Sequence, residues 1–241
     1  MKSFLLFFLI ISVSLSGQSN DNSLEFKSQI INYIKSGDKK QIKKNYKGAI
    51  NDYNKAIRLG LKGSVNIAAY NNRGLAKKKI GDFKGALLDF TLCINILSDS
   101  TNFDTAYSKA SVYYQRGVTS LLLAQESEVE SHITAYDDLT KVISFKQTII
   151  LSKKNFALFK VLLAKAYYFR GIVCQNITTT ILLQDRTESQ DYDKFKLNLR
   201  NHFSYFSKQK KLTDWFIEKS RENFRISAEL GNAAAQSFFK P

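Results

Sequence analysis

The chain has almost no proline, so the residue that most strongly breaks a helix is missing from its interior. The only proline among the 241 residues is Pro241, at the end. Because proline ends or kinks a helix, its absence elsewhere permits long uninterrupted helices. Long alternating apolar and polar runs are also missing, as are Asn-Gly and Asp-Gly turns between apolar segments. The sequence therefore predicts an all-helical protein.

Cysteine and histidine are too few to predict a disulfide or a metal site. The two cysteines, Cys93 and Cys174, lie far apart in the sequence, whereas a disulfide needs Cα atoms within about 7 Å of each other. The chain also has two histidines, His132 and His202. No pair among these two cysteines and two histidines has the spacing of a zinc site. We therefore predict buried free thiols, no metal ion and no cofactor.

Long apolar runs are confined to the N-terminus. Lys2 is followed by a nearly continuous apolar run from Phe4 to Val13, and then by the small residues of Ser14-Leu15-Ser16-Gly17. This order is typical of a secretory signal peptide, and the run is shorter than the roughly 20 residues of a spanning helix. Residues 1–17 are predicted to be a signal peptide, with an uncleaved anchor as the alternative. The protein is then expected to be exported, and to be periplasmic or secreted.

Motifs of common enzymes are missing as well. The chain has no Gly-x-Ser-x-Gly elbow, no His-Glu-x-x-His and no phosphate-cradling glycine loop. Glu126, Glu128 and Glu130 alternate, so on a helix they would point in different directions. We predict no catalytic residues, and an enzyme with an unrecognised site is the less favoured alternative. Nucleic acid is not expected as a partner, because no recognition motif is present.

A phrase of the form Tyr-x-x-Arg-Gly occurs three times in this chain. Its copies end at Arg73-Gly74, Arg116-Gly117 and Arg170-Gly171. Twelve residues after Gly74 comes Ala86, and the same offset separates Gly37 from Ala49. An aromatic residue follows each alanine, at Phe90 and at Tyr53. A fixed offset between a glycine on one helix and a small residue on the next indicates a helical hairpin repeated in tandem.

These residues resemble the tetratricopeptide repeat family, whose unit is a pair of antiparallel helices. The match is best from Ala68 to Ile96, at Tyr70, Gly74, Ala76, Ile80, Gly81-Asp82-Phe83, Ala86, Phe90 and Ile94. The closing stretch from Ala228 to Gln236 also resembles the related Sel1-like repeats. The resemblance implies a solenoid of about four antiparallel helix hairpins, stacked in a right-handed superhelix.

The implied solenoid occupies one domain, residues 18–241. Its repeats are expected at about 30–60, 67–98, 107–146 and 157–231. The third carries six extra residues between glycine and alanine, near Glu126 to His132. The fourth holds a helical insertion at about 175–211, which includes the amphipathic series Phe195, Leu199, Phe203 and Phe206. This insertion is expected to cap the open apolar end of the solenoid, or to fold over its groove as a lid.

The arginine of the repeated phrase is predicted to have a structural partner. Arg73, Arg116 and Arg170 precede the glycines on a face that should be buried, and aspartates recur on the second helices at Asp52, Asp89 and Asp138. Since burial of an unpaired guanidinium is costly, we predict a ladder of arginine–aspartate pairs. A row of arginines that grips a carboxylate or phosphate is the alternative.

Members of the tetratricopeptide repeat family usually bind peptides on the concave surface that their first helices line. The corresponding residues in this chain are Asn71, Leu75, Lys78, Tyr114, Val118, Tyr168 and Ile172. The resemblance therefore implies a groove for an extended or helical segment of another protein. Alternatively, Tyr114 and Tyr168 only pack against the inserted segment. Of the clamp that other members use for a terminal carboxylate, only Asn72 is matched.

Positive charge is concentrated in the N-terminal half. The formal net charge is +15, and fourteen Lys and Arg residues accompany three aspartates between Lys35 and Lys84. Such a surface suits an anionic polymer or lipid, although a compositional bias of the whole chain toward Lys, Asn, Ile and Phe is the preferred explanation. The favoured prediction is a non-enzymatic interaction module of the bacterial cell envelope. An adaptor that docks through its basic surface is the alternative, and the sequence leaves the oligomeric state open.

Overall fold

Every regular element in the described parts of the chain is helical. The structure, a computed structural model, describes residues 21–60, 64–98, 104–124, 129–148, 156–184, 190–203 and 211–239. Within these ranges there is no strand, so the prediction of an all-helical protein is confirmed for them. None of these helices combines the length and apolar character needed to cross a bilayer. The predicted signal peptide, residues 1–17, lies outside the described residues.

The chain divides into two compact units, and the first runs from Met1 to Thr101. It contains α1 (Asp21–Ile42), α2 (Tyr46–Arg58), α3 (Ser64–Lys79) and α4 (Phe83–Ser98). Helix α1 packs against α2 and α3 against α4, while α3 also contacts both helices of the first pair. Apolar side chains at helical spacing form the core between α1, α2 and α3: Ile30, Ile34, Ala49, Tyr53, Ala56, Ala69 and Ala76.

The second unit, Asn102–Pro241, is also built from paired helices. They are α5 (Asp104–Ala124), α6 (Val129–Ser144), α7 (Phe156–Gln184), α8 (Gln190–His202), α9 (Leu212–Glu229) and α10 (Ala233–Gln236), followed by a 3₁₀ turn, Ser237–Phe239. Helix α5 pairs with α6 and α7 with α9, and α6 also packs on α7. That residues 18–241 form a single domain stays a prediction.

Where the structure describes them, the extra residues of the third and fourth repeats are mainly helical. Helix α6 begins at Val129, so His132 and its neighbours are helical. Helix α7 continues without a break to Gln184, which places the first part of the predicted insertion inside that helix. Because no glycine or proline occurs between Gly171 and Gln184, nothing in this segment ends the helix sooner.

Three helix ends share one turn geometry. At the end of α1 the amide of Lys44 donates to the carbonyl of Gln41 (2.9 Å) and that of Asn45 to Lys40 (2.9 Å). The same pair of bonds ends α3 at Gly81-Asp82 and α9 at Gly231-Asn232. In this motif the first of the two residues is left-handed, with φ of 59° at Lys44, 82° at Gly81 and 96° at Gly231. Lysine thus occupies a position that favours glycine.

We expect Lys44→Gly to stabilise the protein. A side chain with a Cβ costs about 1 kcal/mol or more in the left-handed region, and glycine removes that cost. Chemical unfolding followed by far-ultraviolet circular dichroism should show a free energy of unfolding raised by about 1 kcal/mol.

Lys39→Gly is the matched control, because Lys39 is an exposed residue inside α1. There the same substitution should lower the free energy of unfolding by about 1 kcal/mol. Equal destabilisation by both variants would contradict the strain assigned to Lys44.

Candidate binding surface and the contacts that hold it

Each helix pair closes around a glycine of its first helix. A Cβ built on Gly37 would lie 2.5 Å from the ring of Tyr53, and one on Gly74 would lie 2.8 Å from the ring of Phe90. The same contact recurs in the second unit, at 3.2 Å between Gly117 and Leu139 and at 2.8 Å between Gly171 and Phe224. Distances below about 3 Å leave no room for a side chain, so these positions require glycine or a shift of the partner.

The residue just before each close-approach glycine forms a polar contact with a residue of the second helix. That residue directly precedes the side chain that packs on the glycine. Arg73 donates to both oxygens of Asp89, from Nε at 3.0 Å and from Nη2 at 2.5 Å. Arg116 binds Asp138 in the same bidentate way, with both bonds at 2.8 Å. Burial raises the pKa of Asp138, even though Arg116 acts to lower it. The two pairs are those that the arginine–aspartate ladder predicts.

The ladder differs from the prediction at its two ends. Asp52 accepts from the hydroxyl of Ser36 (2.6 Å) and pairs with Lys40 (2.6 Å) rather than with an arginine. Arg170 donates twice to Oδ1 of Asn223, at 3.2 and 2.8 Å, and not to an aspartate. The reason lies in the sequence, because serine precedes Gly37 and asparagine precedes Phe224. All four helix pairs therefore have a polar contact at this position, but the charges of the two residues that form it differ from pair to pair.

The arginines also connect successive pairs within a unit. Nη1 of Arg73 donates to Asn54 of α2 (2.6 Å), and Nη1 of Arg170 donates to Thr140 of α6 (3.1 Å). Each guanidinium further lies over the tyrosine three residues before it, with 5.3 Å from Arg73 to the ring centroid of Tyr70. These contacts explain the repeated Tyr-x-x-Arg-Gly phrase and occupy the side chains internally.

In the first unit, the predicted binding residues lie along one face of α3. Asn71 is buried and donates to Oδ1 of Asn72 (3.1 Å), while Leu75 and Lys78 are half-buried. Burial, with a smaller effect from Lys79, lowers the pKa of Lys78 to about 8. This face of α3 is thus partly occupied by internal contacts, and its one lysine has a lowered pKa.

A polar network beside Asn71 was not predicted. Oδ1 of Asp38 accepts from the hydroxyl of Tyr53 (2.7 Å) and from Nδ2 of Asn72 (2.9 Å), and Tyr53 also reaches Gln41 (3.1 Å). Burial raises the pKa of Asp38. A signal existed in the sequence: Asp38 is the only acid directly after a close-approach glycine, and Tyr53 is the only partner ring with a hydroxyl.

In the second unit the predicted residues are Tyr114 and Val118 on α5 and Tyr168 and Ile172 on α7. All four are half-buried. The ring of Tyr114 meets Phe169 edge-on at 6.0 Å between centroids, while Tyr168 contacts Phe169 at 5.3 Å and Phe224 at 5.7 Å. Each tyrosine is therefore held by its own unit and keeps part of its surface exposed.

The inserted helix α8 contacts the second helices of its unit. Its Leu199 is buried, and the next turn places the ring of Phe203 against Tyr136 of α6 (5.0 Å) and Phe216 of α9 (5.1 Å). Nε2 of His202 in α8 also lies 3.0 Å from Oδ1 of Asp137 in α6. These contacts are with second helices, and the choice between a cap and a lid stays a prediction. Phe206 of the predicted series lies outside the described residues.

The described residues contain no group of acidic, histidine and cysteine side chains arranged as a metal site. Cys93 and Cys174 are both buried and free, as the sequence predicts. Burial raises the pKa of the Cys174 thiol to about 12, so it is protonated at neutral pH. No protein-family model matches the chain, and no curated protein sequence is significantly similar to it.

We expect Asn223→Asp to stabilise the second unit. The Asn223 side chain is fully buried, and its Nδ2 has no hydrogen-bond partner. Aspartate removes this donor and gives Arg170 the carboxylate that Arg73 and Arg116 already have. The free energy of unfolding, measured by chemical denaturation, should rise by about 1–3 kcal/mol.

Asn223→Leu serves as the control for this variant. It removes both the unsatisfied donor and the acceptor of Arg170, so it should destabilise by about 3–5 kcal/mol, as expected when a buried charge loses its partner. An Asp variant that melts below the parent would show that desolvation of the ion pair outweighs its attraction.

A second prediction concerns Lys78 and pH. Its pKa in the folded protein, about 8, lies below the value of 10.5 in the unfolded chain. Between these values the unfolded state binds more protons, so stability should rise with pH from about 8 to about 10.5. Lys78→Met should raise the melting temperature at neutral pH and should remove this rise. An equal change of melting temperature with pH in both proteins across that window would contradict the lowered pKa of Lys78.

Proposed function

We propose that this chain is a solenoid similar to tetratricopeptide repeat proteins, and that it serves as a non-enzymatic protein-interaction module of the bacterial cell envelope. The observation that supports this most is the fourfold recurrence of one contact set. In each helix pair a glycine meets an apolar side chain of the second helix, and the residues before them form a polar pair. A contact set at a fixed sequence register is the property expected of tandem helical repeats.

The binding surface in this proposal is the face of the first helices. It is formed by Asn71, Leu75 and Lys78 in the first unit, and by Tyr114, Val118, Tyr168 and Ile172 in the second. Tyrosine offers a large apolar contact area with a polar tip and loses little entropy when bound, which suits a partner surface. The ring contacts of Tyr114 and Tyr168 with Phe169 reduce that loss further, because they hold both side chains before a partner arrives.

The proposed ligand is an extended or helical segment of another envelope protein. Export follows from the predicted signal peptide, and the two buried, unbridged cysteines are compatible with it. The ring contacts of Phe203, the residue after α8, are with α6 and α9 rather than with Tyr114 or Tyr168, and this supports a groove in which both tyrosines stay accessible to a partner.

The test is an affinity capture from cross-linked envelopes of the source cell with the parent and with Tyr114→Ala/Tyr168→Ala. We expect partners that bind the parent to lose at least about 2 kcal/mol of affinity, roughly a thirtyfold weakening, when both aromatic anchors are truncated. Binding of a captured partner should then be measured with purified proteins.

Leu88→Ala/Leu92→Ala is the control, because these exposed leucines of α4 lie on a second helix outside the proposed surface. Melting curves of both double variants show whether the fold is intact. A partner that still binds the folded tyrosine variant would move the binding site away from the first helices, and a partner lost with both variants would contradict the proposed surface.

A further inference from the structure

Four aspartates of the first unit make contacts inside it, and two of its lysines, Lys40 and Lys77, pair with them. Asp38 accepts from Tyr53 and Asn72, and Asp52 from Ser36 and Lys40. Asp89 is held by Arg73 and Lys77, and Asp82 caps α4 by accepting from the amide of Gly85 (2.9 Å).

Four exposed lysines lie at the ends of helices in this unit. Lys43, Lys44 and Lys47 surround the turn from α1 to α2, and Lys79 is the last residue of α3. None of the four forms an ion pair with a residue that the structure describes. Like charges this close repel one another, so the arrangement favours an external partner of opposite charge.

Internal contacts place these helix ends on the same edge of the unit. Asp38, four residues before the end of α1, bonds to Asn72, seven residues before the end of α3. Asn54 of α2 bonds to Arg73 of α3, and the short turn at Lys43–Asn45 joins the end of α1 to the start of α2. At 1.5 Å of rise per residue, all three ends lie within about 12 Å along the helix axes of these contacts.

Two isoleucines are exposed among the lysines. Ile42, the last residue of α1, keeps 67% of its surface exposed, and Ile80, directly after α3, keeps 42%. Neither is part of the core between α1, α2 and α3. Ile42 precedes Lys43 and Lys44, and Ile80 follows Lys79. We name this set of six residues (Ile42, Lys43, Lys44, Lys47, Lys79 and Ile80) the turn edge.

We infer that the turn edge docks on the surface of an anionic phospholipid bilayer. Lysines near an anionic leaflet are attracted by its surface potential, and apolar side chains between them can enter the boundary between headgroups and acyl chains. A soluble polyanion would use the lysines but would gain nothing from the isoleucines. The two exposed isoleucines therefore favour a bilayer over a soluble polyanion. This inference is independent of the groove proposed for the first helices.

The experiment is co-sedimentation of the full chain with vesicles of phosphatidylcholine, either pure or with about a third of phosphatidylglycerol. Binding to neutral vesicles measures any contribution of the apolar N-terminal segment, which all variants share. At about 0.1 M salt, the parent should bind the anionic vesicles more tightly, and this excess should fade as the salt concentration rises.

Two variants separate the charged and apolar contributions. Lys43→Gln/Lys44→Gln/Lys47→Gln should weaken binding to anionic vesicles by about a hundredfold. Ile42→Ser/Ile80→Ser should weaken it by about tenfold, because burial of two partly inserted side chains is lost.

Each variant has a matched control within the chain. Lys27→Gln/Lys160→Gln/Lys165→Gln removes the same charge from exposed positions elsewhere, and Leu88→Ser/Leu92→Ser removes two leucines whose exposed fractions, 67% and 41%, match those of the isoleucines. Both controls should bind within about twofold of the parent, since only charges near the bilayer contribute strongly.

Three results would overturn the inference. The first is equal binding of parent and lysine variant to anionic vesicles. The second is equal weakening by a variant and its matched control, which would point to net charge or general hydrophobicity. The third is full binding by the isoleucine variant together with tight binding of the parent to soluble polyphosphate, which would assign the turn edge to a polyanion.

Discussion

The close approach of two helices at a glycine is the constraint on which the other contacts depend. Without a Cβ on Gly74, the ring of Phe90 lies directly against the backbone of α3. This distance brings the residues before them, Arg73 and Asp89, within bonding range under cover of the neighbouring pair. Because a buried guanidinium needs a partner, the choice of glycine and the choice of aspartate are coupled. The same coupling recurs, with other polar residues, in all four pairs.

The internal use of carboxylates also determines the surface charge. In the first unit Asp52 and Asp89 are bound by Ser36, Lys40, Arg73 and Lys77, so these two carboxylates compensate internal cations rather than the lysines on the outside. The polar contacts that hold the pairs together thus leave a basic surface as their by-product. In the second unit acids such as Glu222 and Glu229 lie on the outside instead, paired with Lys219 and Arg225. Composition alone does not distinguish these two arrangements.

Local and periodic signals made much of the fold predictable. The repeated glycine, the aromatic at a fixed offset and the lack of proline predict paired helices, and the residue types predict the pairs of Arg73 and Arg116. Contacts that depend on distant residues were not predictable from spacing. Examples are Asp38 with Tyr53, Arg170 with Asn223, and His202 with Asp137. The binding residues were placed on the first helices only through the family resemblance, and their half-burial is a property of packing that sequence spacing does not report.

The length of α7 gives a physical reason for the insertion. Five residues of α3 follow Gly74, whereas thirteen residues of α7 follow Gly171. The added turns carry Ile177 and Ile181, which belong to one buried cluster with Leu199 and Phe203. A longer first helix presents more apolar surface than a second helix of ordinary length covers, and the insertion adds Leu199 and Phe203 to the cluster that buries this surface. The ring of Phe203 contacts rings of α6 and α9 and makes no ring contact with Tyr168. The insertion therefore completes the core of the second unit and is compatible with a partner on its first helices.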